Sequence, residues 1–163
     1  MTKIISEINL CGQFKLTVKS NDNNWYRLYL TETRKMSSGK KLFSSKMSCN
    51  RKEKIEIYLG AEVGKILTER FSAAVNSIIE GKPLKYSRVD GKNLHYVLAL
   101  SETYTSIFIS EPPHRMLYFV SRDYFAAEQT PECENSTLTL PYIVRMPFSV
   151  SELSQLIEDL KSR

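Results

Sequence analysis

The chain has 163 residues, of which 42% are hydrophobic and 25% are charged, and it contains six glycines and six prolines. These values are typical of a folded protein of one domain or two small packed units, and they exclude disordered and collagen-like classes. The formal net charge of +5 is uneven, because residues 1–81 carry 14 Lys and Arg against 8 Asp and Glu, whereas residues 82–163 carry 9 against 10.

The basic first half is suited to a polyanionic partner, although the same charge can serve solubility alone. No apolar run is long enough to span a bilayer, and residues 1–7 lack the apolar core of a signal peptide. We therefore expect an intracellular protein, nuclear or cytoplasmic, with no membrane partner.

Two strands of alternating polarity come first, joined by the turn sequence Asn-Asp-Asn-Asn at 21–24. One face is apolar and comprises Phe14, Leu16, Val18, Tyr26, Leu28 and Leu30. The other face comprises Lys15, Thr17, Lys19, Trp25, Arg27, Tyr29 and Thr31. The pattern predicts a β-hairpin with its apolar face turned inward.

A basic loop over 34–41 and strands over 42–49 and 54–59 are predicted next. Apolar residues at helical spacing between Val63 and Ile78 then predict a helix, which Gly81 ends.

The second half repeats this order, with strands predicted at 94–101, 105–110, 115–122 and 137–146 and an acidic loop over 123–136. Ser149 and Glu152 fit a capping box for a final helix, which has an apolar face of Leu153, Leu156, Ile157 and Leu160. The sequence thus predicts an α+β fold of two tandem ββββα units, residues 1–81 and 82–163. Each unit alone leaves a sheet face uncovered, so we expect the two to pack into one domain.

The residues that usually carry catalysis form no recognisable pattern. The three cysteines are widely spaced, and His95 and His114 lie in no metal-ligand motif. We therefore expect no enzymatic activity, no cofactor and no metal site.

The mixture of cations and aromatic rings on the outward face of the hairpin indicates a function. Lysine and arginine neutralise phosphates, and flat rings stack on unpaired bases. We expect contact with single-stranded DNA or RNA through Lys15, Lys19, Trp25, Arg27 and Tyr29, with outer phosphate contacts from Lys40, Lys41 and Lys46. In the alternative interpretation, Trp25 and Tyr29 pack beneath the second unit and the lysines are only solvated.

Residues 14–21, Phe-Lys-Leu-Thr-Val-Lys-Ser-Asn, followed by a polar turn and Tyr-Arg-Leu-Tyr-Leu at 26–30, resemble the opening hairpin of a PUR repeat. Residues 54–59 and the helix containing Phe71 resemble the last strand and helix of that repeat. The resemblance implies ββββα units paired into one PUR/Whirly-like domain that binds single-stranded DNA and RNA. By position, Lys19 and Asn21 match residues that contact nucleic acid in PUR repeats.

A second function remains open on the sequence alone. The same fold can serve as a protein-interaction or dimerisation module, in a dimer with a second copy of the chain or in an effector complex, with an interface formed by Tyr96, Tyr104, Tyr118 and Tyr124. A small enzyme is a third alternative. The salt dependence of binding separates the first two, because phosphate neutralisation weakens steeply with salt and an apolar interface does not.

Overall fold

The computed structural model describes residues 2–21, 23–36, 51–82, 85–110, 115–124 and 143–162. The first half contains β1 (Lys3–Leu10), β2 (Phe14–Ser20), β3 (Trp25–Met36), β4 (Arg51–Val63) and α1 (Gly64–Glu80). The second half contains β5 (Tyr86–Val89), β6 (Lys92–Ala99), β7 (Ser106–Ser110), β8 (Met116–Val120), β9 (Ile143–Pro147) and α2 (Val150–Lys161). The α+β class is confirmed, with two antiparallel sheets and the helices packed against them.

The first sheet has the order β1-β2-β3-β4, and all neighbouring strands are antiparallel. Thr17 lies opposite Tyr29, and Val18 lies opposite Leu28, as the alternating pattern predicts. The apolar residues of β2 and β3 enter the core, so the predicted hairpin and the direction of its apolar face are confirmed.

An extra residue in β4 changes which side chains share a face. Leu28 lies opposite Gly60 whereas Tyr29 lies opposite Tyr58, so Leu59 is inserted into the ladder as a β-bulge. Gly60 has a φ of +135°, and a Cβ there would lie 2.7 Å from the Leu100 Cβ. This close approach is one of the points at which the first half touches the second.

The second sheet has the order β5-β6-β7-β8-β9 and is also antiparallel. Its central strands bury side chains on both faces. One face joins the core shared with the helices, and the other forms a separate apolar cluster of Val89, Leu94, Phe108, Tyr118 and Val120. The outward face of this sheet is therefore apolar and covered, unlike that of the first sheet.

α1 of the first half and α2 of the second half pack against each other. α2 packs on β1, where the Ser6 hydroxyl donates a hydrogen bond of 2.7 Å to the Asp159 carboxylate, and α1 packs on β4 and β6. The predicted capping box of Ser149 and Glu152 is present, and Gly81 ends α1 in the left-handed conformation. One hydrophobic cluster contains residues of both sheets and both helices. In the part of the chain described here, neither helix is long and apolar enough to cross a bilayer.

Several predicted elements differ from the structure. The sequence did not predict β1 or β5, and the second sheet has five described strands where four were expected. Residues 34–36 continue β3 and are not a loop, and Ile66, expected on the buried face of α1, is exposed. The strand predicted at 42–49 lies outside the described residues.

Candidate nucleic-acid interface

The outer face of the first sheet is the surface directed away from the helices, and cross-strand pairing defines its composition. Its described members are Ile4, Glu7, Asn9, Lys15, Thr17, Lys19, Trp25, Arg27, Tyr29, Thr31, Thr33, Lys54, Glu56, Tyr58, Ala61 and Val63. The structure thus brings together five of the predicted contact residues, Lys15, Lys19, Trp25, Arg27 and Tyr29, on one surface.

A pair of tyrosines occupies the centre of this outer face. The Tyr29 and Tyr58 rings have centroids 5.2 Å apart and planes tilted by 43°. The Lys19 ammonium lies 4.5 Å from the centroid of the Tyr29 ring, which is a cation–π contact. Thr17 belongs to the same cross-strand row, yet it is only 4% exposed, so larger neighbours on the outer face cover it. The centre is therefore an aromatic surface with a cation held at its margin.

Tyr58 is fixed by a residue from the second half. Its hydroxyl donates a hydrogen bond of 2.5 Å to the Glu102 carboxylate. Burial, together with this hydrogen bond and the negative charge of Glu102, raises the pKa of the Tyr58 phenol well above its ordinary range. The phenol consequently remains protonated at physiological pH and continues to donate to Glu102.

Cations flank the tyrosine pair on both sides. Lys15 lies toward the β1–β2 turn, where it forms an ion pair of 3.4 Å with Glu7. Arg27 lies on the other side, in the row next to Tyr29, and its side chain is exposed. Lys54 is exposed near the same end of the sheet as Lys15. The two acids of this face, Glu7 and Glu56, lie on the outer strands. The charged residues that the central strands β2 and β3 contribute to this face are therefore all cations.

Trp25 begins β3 at the edge of the outer face. Its side chain is 38% exposed, and its backbone lies opposite Val63. A Trp25 side chain packed beneath the second unit would be less exposed than this. Its ring is available to a ligand that approaches the sheet from outside.

Asn21 has a role in the turn that precedes Trp25. Its side-chain Oδ1 accepts a hydrogen bond from the Asn23 backbone N–H, and its own N–H donates to the Trp25 carbonyl. Asn24 completes the turn with a φ of +61°. Asn21 thus positions the start of β3, and its predicted contact with nucleic acid stays a prediction. Lys40, Lys41 and Lys46 lie outside the described residues.

A shallow cavity of about 150 Å³ lies at the Lys15 end of the outer face. Its lining is mixed, with two lysines among polar and apolar residues, and comprises Asn9, Gly12, Gln13, Phe14, Lys15, Thr31, Thr33 and Lys54. The cavity continues the basic surface toward the β1–β2 turn.

The four tyrosines of the alternative interface do not share an exposed surface. Tyr118 is 2% exposed within the second apolar cluster, and Tyr96 and Tyr124 pack against that cluster. Tyr104 is 58% exposed, with the Arg122 guanidinium 5.4 Å from its ring centroid.

His95, one of the two histidines, lies in β6 of the second sheet. His95 is buried and its ring contacts Tyr86, at a centroid distance of 4.7 Å. Among the described residues, no three His, Cys, Asp or Glu side chains are placed to hold a metal ion.

Sequence reasoning missed two residues of the site, Tyr58 and Glu102. The alternation of Lys54, Glu56 and Tyr58 with apolar residues is a signal for placing Tyr58 on the outer face. No local signal marks Glu102, because its contact with Tyr58 spans 44 residues of sequence.

No protein-family model, curated protein or solved structure matches this chain. A functional proposal therefore depends on the geometry of its own residues.

Proposed function

We propose that the protein binds single-stranded DNA or RNA without catalysis, through the outer face of its first sheet, and that residues 1–81 and 82–163 are paired units of a PUR/Whirly-like domain. The observation that carries the proposal is the grouping of Trp25, Tyr29 and Tyr58 with Lys15, Lys19 and Arg27 on one sheet face directed away from the helices, where each of these side chains is exposed or partly exposed. Rings supply platforms for unpaired bases, and the cations neutralise the phosphates between them.

The energies favour stacking on Tyr29 even though Lys19 already lies over its ring. An exposed cation–π contact contributes about 0.5–1 kcal/mol, whereas a stacked base contributes about 1–3 kcal/mol. A base can therefore displace the flexible ammonium from the Tyr29 ring. Lys19 is then released beside the base, where it can neutralise a phosphate.

The positions of the cations suit a strand that crosses the tyrosine pair. Lys15 and Lys19 are four residues apart in β2, or about 13 Å at the usual strand rise. Tyr29 lies opposite Thr17, midway between the two lysines. Phosphates on either side of a base stacked at the centre would each meet a cation.

The second sheet provides an internal comparison. Its outward face buries Phe108 and Tyr118 in an apolar cluster, so these two rings are not available to unpaired bases. The difference supports assigning nucleic-acid binding to the first sheet, and it agrees with the excess of positive charge in residues 1–81.

The salt dependence of binding to a labelled single-stranded oligonucleotide tests the proposal. Each lysine that neutralises a phosphate should contribute roughly one unit to the slope of log K against log salt, so Lys15→Gln with Lys19→Gln should lower it by about one to two units. Lys92→Gln, at an exposed position at the start of β6 in the second sheet, is the matched control and should leave the slope unchanged. If the double variant and the control have the slope of the unmodified protein, the outer face does not bind phosphates.

A further inference from the structure

A loop of the second half, Ser101–Thr105 between β6 and β7, is attached to the edge of the first sheet, and we call it the bridging loop. Ser101 and Ala61 exchange backbone hydrogen bonds of 2.8 and 3.3 Å. The Thr103 hydroxyl donates to the Leu59 carbonyl and lies 2.9 Å from the Thr105 hydroxyl. Gly60 permits this approach, because a Cβ there would lie under 3 Å from Ser101 and Thr103.

Two residues of the bridging loop have the left-handed backbone conformation. Glu102 has a φ of +73° and Tyr104 a φ of +55°. Neither is glycine, and for such residues this conformation persists only where surrounding contacts hold the chain in place. The contacts of Ser101 and Thr103 with β4 are of that kind. The loop is thus held in a definite shape that directs Glu102 to Tyr58.

Tyr104 is close to the tyrosine pair as a consequence. The Cα atoms of Glu102 and Tyr104 can be at most about 7 Å apart, because only Thr103 lies between them. Glu102 contacts Tyr58 at 2.5 Å. The Tyr104 backbone therefore lies near the Glu102 end of the tyrosine pair, and the Tyr104 ring is exposed with the Arg122 guanidinium 5.4 Å from its centroid. This pairing of ring and cation repeats the pairing of Tyr29 with Lys19.

We infer that the bound single strand continues from the outer face across the bridging loop, where Tyr104 provides a further stacking platform and Arg122 a phosphate contact. The inference rests on the proposed function and extends it into the second half of the chain. Continuity with the tyrosine pair and the positive charge of Arg122 identify the occupant as the same polyanionic strand.

Glu102 constrains the path of the strand between the two platforms. Its carboxylate lies at the junction and repels phosphates, so the backbone of the strand must pass on the far side of the bases from Glu102. A single strand can turn its bases toward the protein and its phosphates away from Glu102, whereas a base-paired duplex cannot.

Oligonucleotide length tests the inference, because a strand of about two nucleotides has too few bases to stack on Tyr29, Tyr58 and Tyr104 together. We expect Tyr104→Ala to weaken binding of oligothymidylate of about 12 nucleotides by about fivefold or more, and to leave binding of the strand of about 2 nucleotides unchanged. Tyr104→Phe should restore the affinity for the long strand, since it keeps the ring. Tyr86→Ala, at another exposed tyrosine of the second half, is the matched control and should have no effect at either length.

Trp25→Ala, measured on both oligonucleotides, separates failure of this inference from failure of the proposed function. An unchanged affinity of Tyr104→Ala for the long strand would overturn the extension, as would an equal loss at both lengths. If Trp25→Ala still weakens binding, the outer face remains the binding surface. If Trp25→Ala also has no effect on either strand, the proposed function fails with it.

Discussion

Trp25 is the residue whose removal separates stacking from charge. Its ring is 38% exposed at the edge of the outer face, so truncation removes a base platform and no cation. Loss of one stacked base costs about 1–3 kcal/mol, which corresponds to an increase in Kd of roughly 5- to 150-fold. We expect this loss for Trp25→Ala with an unchanged salt slope, because the number of released counterions stays the same.

The exposure of Trp25 also sets the cost in stability. A fully buried Trp→Ala substitution costs about 3–5 kcal/mol, and a ring that retains more than a third of its exposure should cost about 2–3 kcal/mol. For a chain of this size the melting temperature should fall by roughly 4–12 °C. The variant should therefore remain folded at 20 °C, where binding is measured.

Fluorescence polarisation with a labelled single strand measures the affinity, and circular dichroism melts report folding. Trp25→Phe is the control, since it keeps an aromatic ring and should recover most of the affinity. A folded Trp25→Ala protein that binds as tightly as the unmodified chain would refute the stacking surface. So would a loss of affinity accompanied by a shallower salt slope, which would indicate a charge effect.

Three further outcomes follow from the contacts between the halves. Glu102→Gln keeps an acceptor for the Tyr58 hydroxyl but removes a negative charge beside the bound nucleic acid, so affinity at low salt should rise several-fold. A weaker complex in polarisation titrations would contradict the placement of the nucleic acid beside Glu102. Gly60→Ala should lower the free energy of unfolding by about 2–6 kcal/mol in denaturant titrations, because the strain of a positive φ and the overpacking add. Gly12→Ala has a positive φ but open space around it and should cost about 1–2 kcal/mol. Equal costs would show that the contact of Gly60 with the bridging loop is not tight. Neither half of a chain cut after residue 81 should show a cooperative melt, because helices and sheets of both halves share one core, and a cooperative transition from either fragment would show independent domains.

The first hairpin could be predicted because each strand buries one face and exposes the other. Phe14, Leu16 and Val18 alternate with lysines and a threonine, and the same holds for β3, so period and turn chemistry agree. The sequence pattern did not predict β1, for a physical reason. Its alternation is broken by the irregular register between Ile4 and Ser6, and the buried position there is a serine that α2 satisfies through a hydrogen bond.

The composition of the candidate site could be predicted only in part. Local alternation placed Lys15, Lys19 and Arg27 on one face. Alternation in β4 also marks Tyr58, whereas the position of Glu102 depends on the bridging loop, and a long-range contact of this kind leaves no periodic pattern in the sequence. In β7 and β8, burial of both faces replaces alternation by continuous apolar runs, which identify strands but not the covered outward face.

The most direct test of binding to unpaired bases compares one labelled sequence as a single strand and as a duplex of equal length, by fluorescence polarisation at moderate salt. Stacking on Trp25, Tyr29 and Tyr58 requires unpaired bases, so the single strand should bind at least tenfold more tightly, roughly the contribution of one stacked base. Equal or tighter binding of the duplex would show that the protein recognises charge alone, and it would contradict the account.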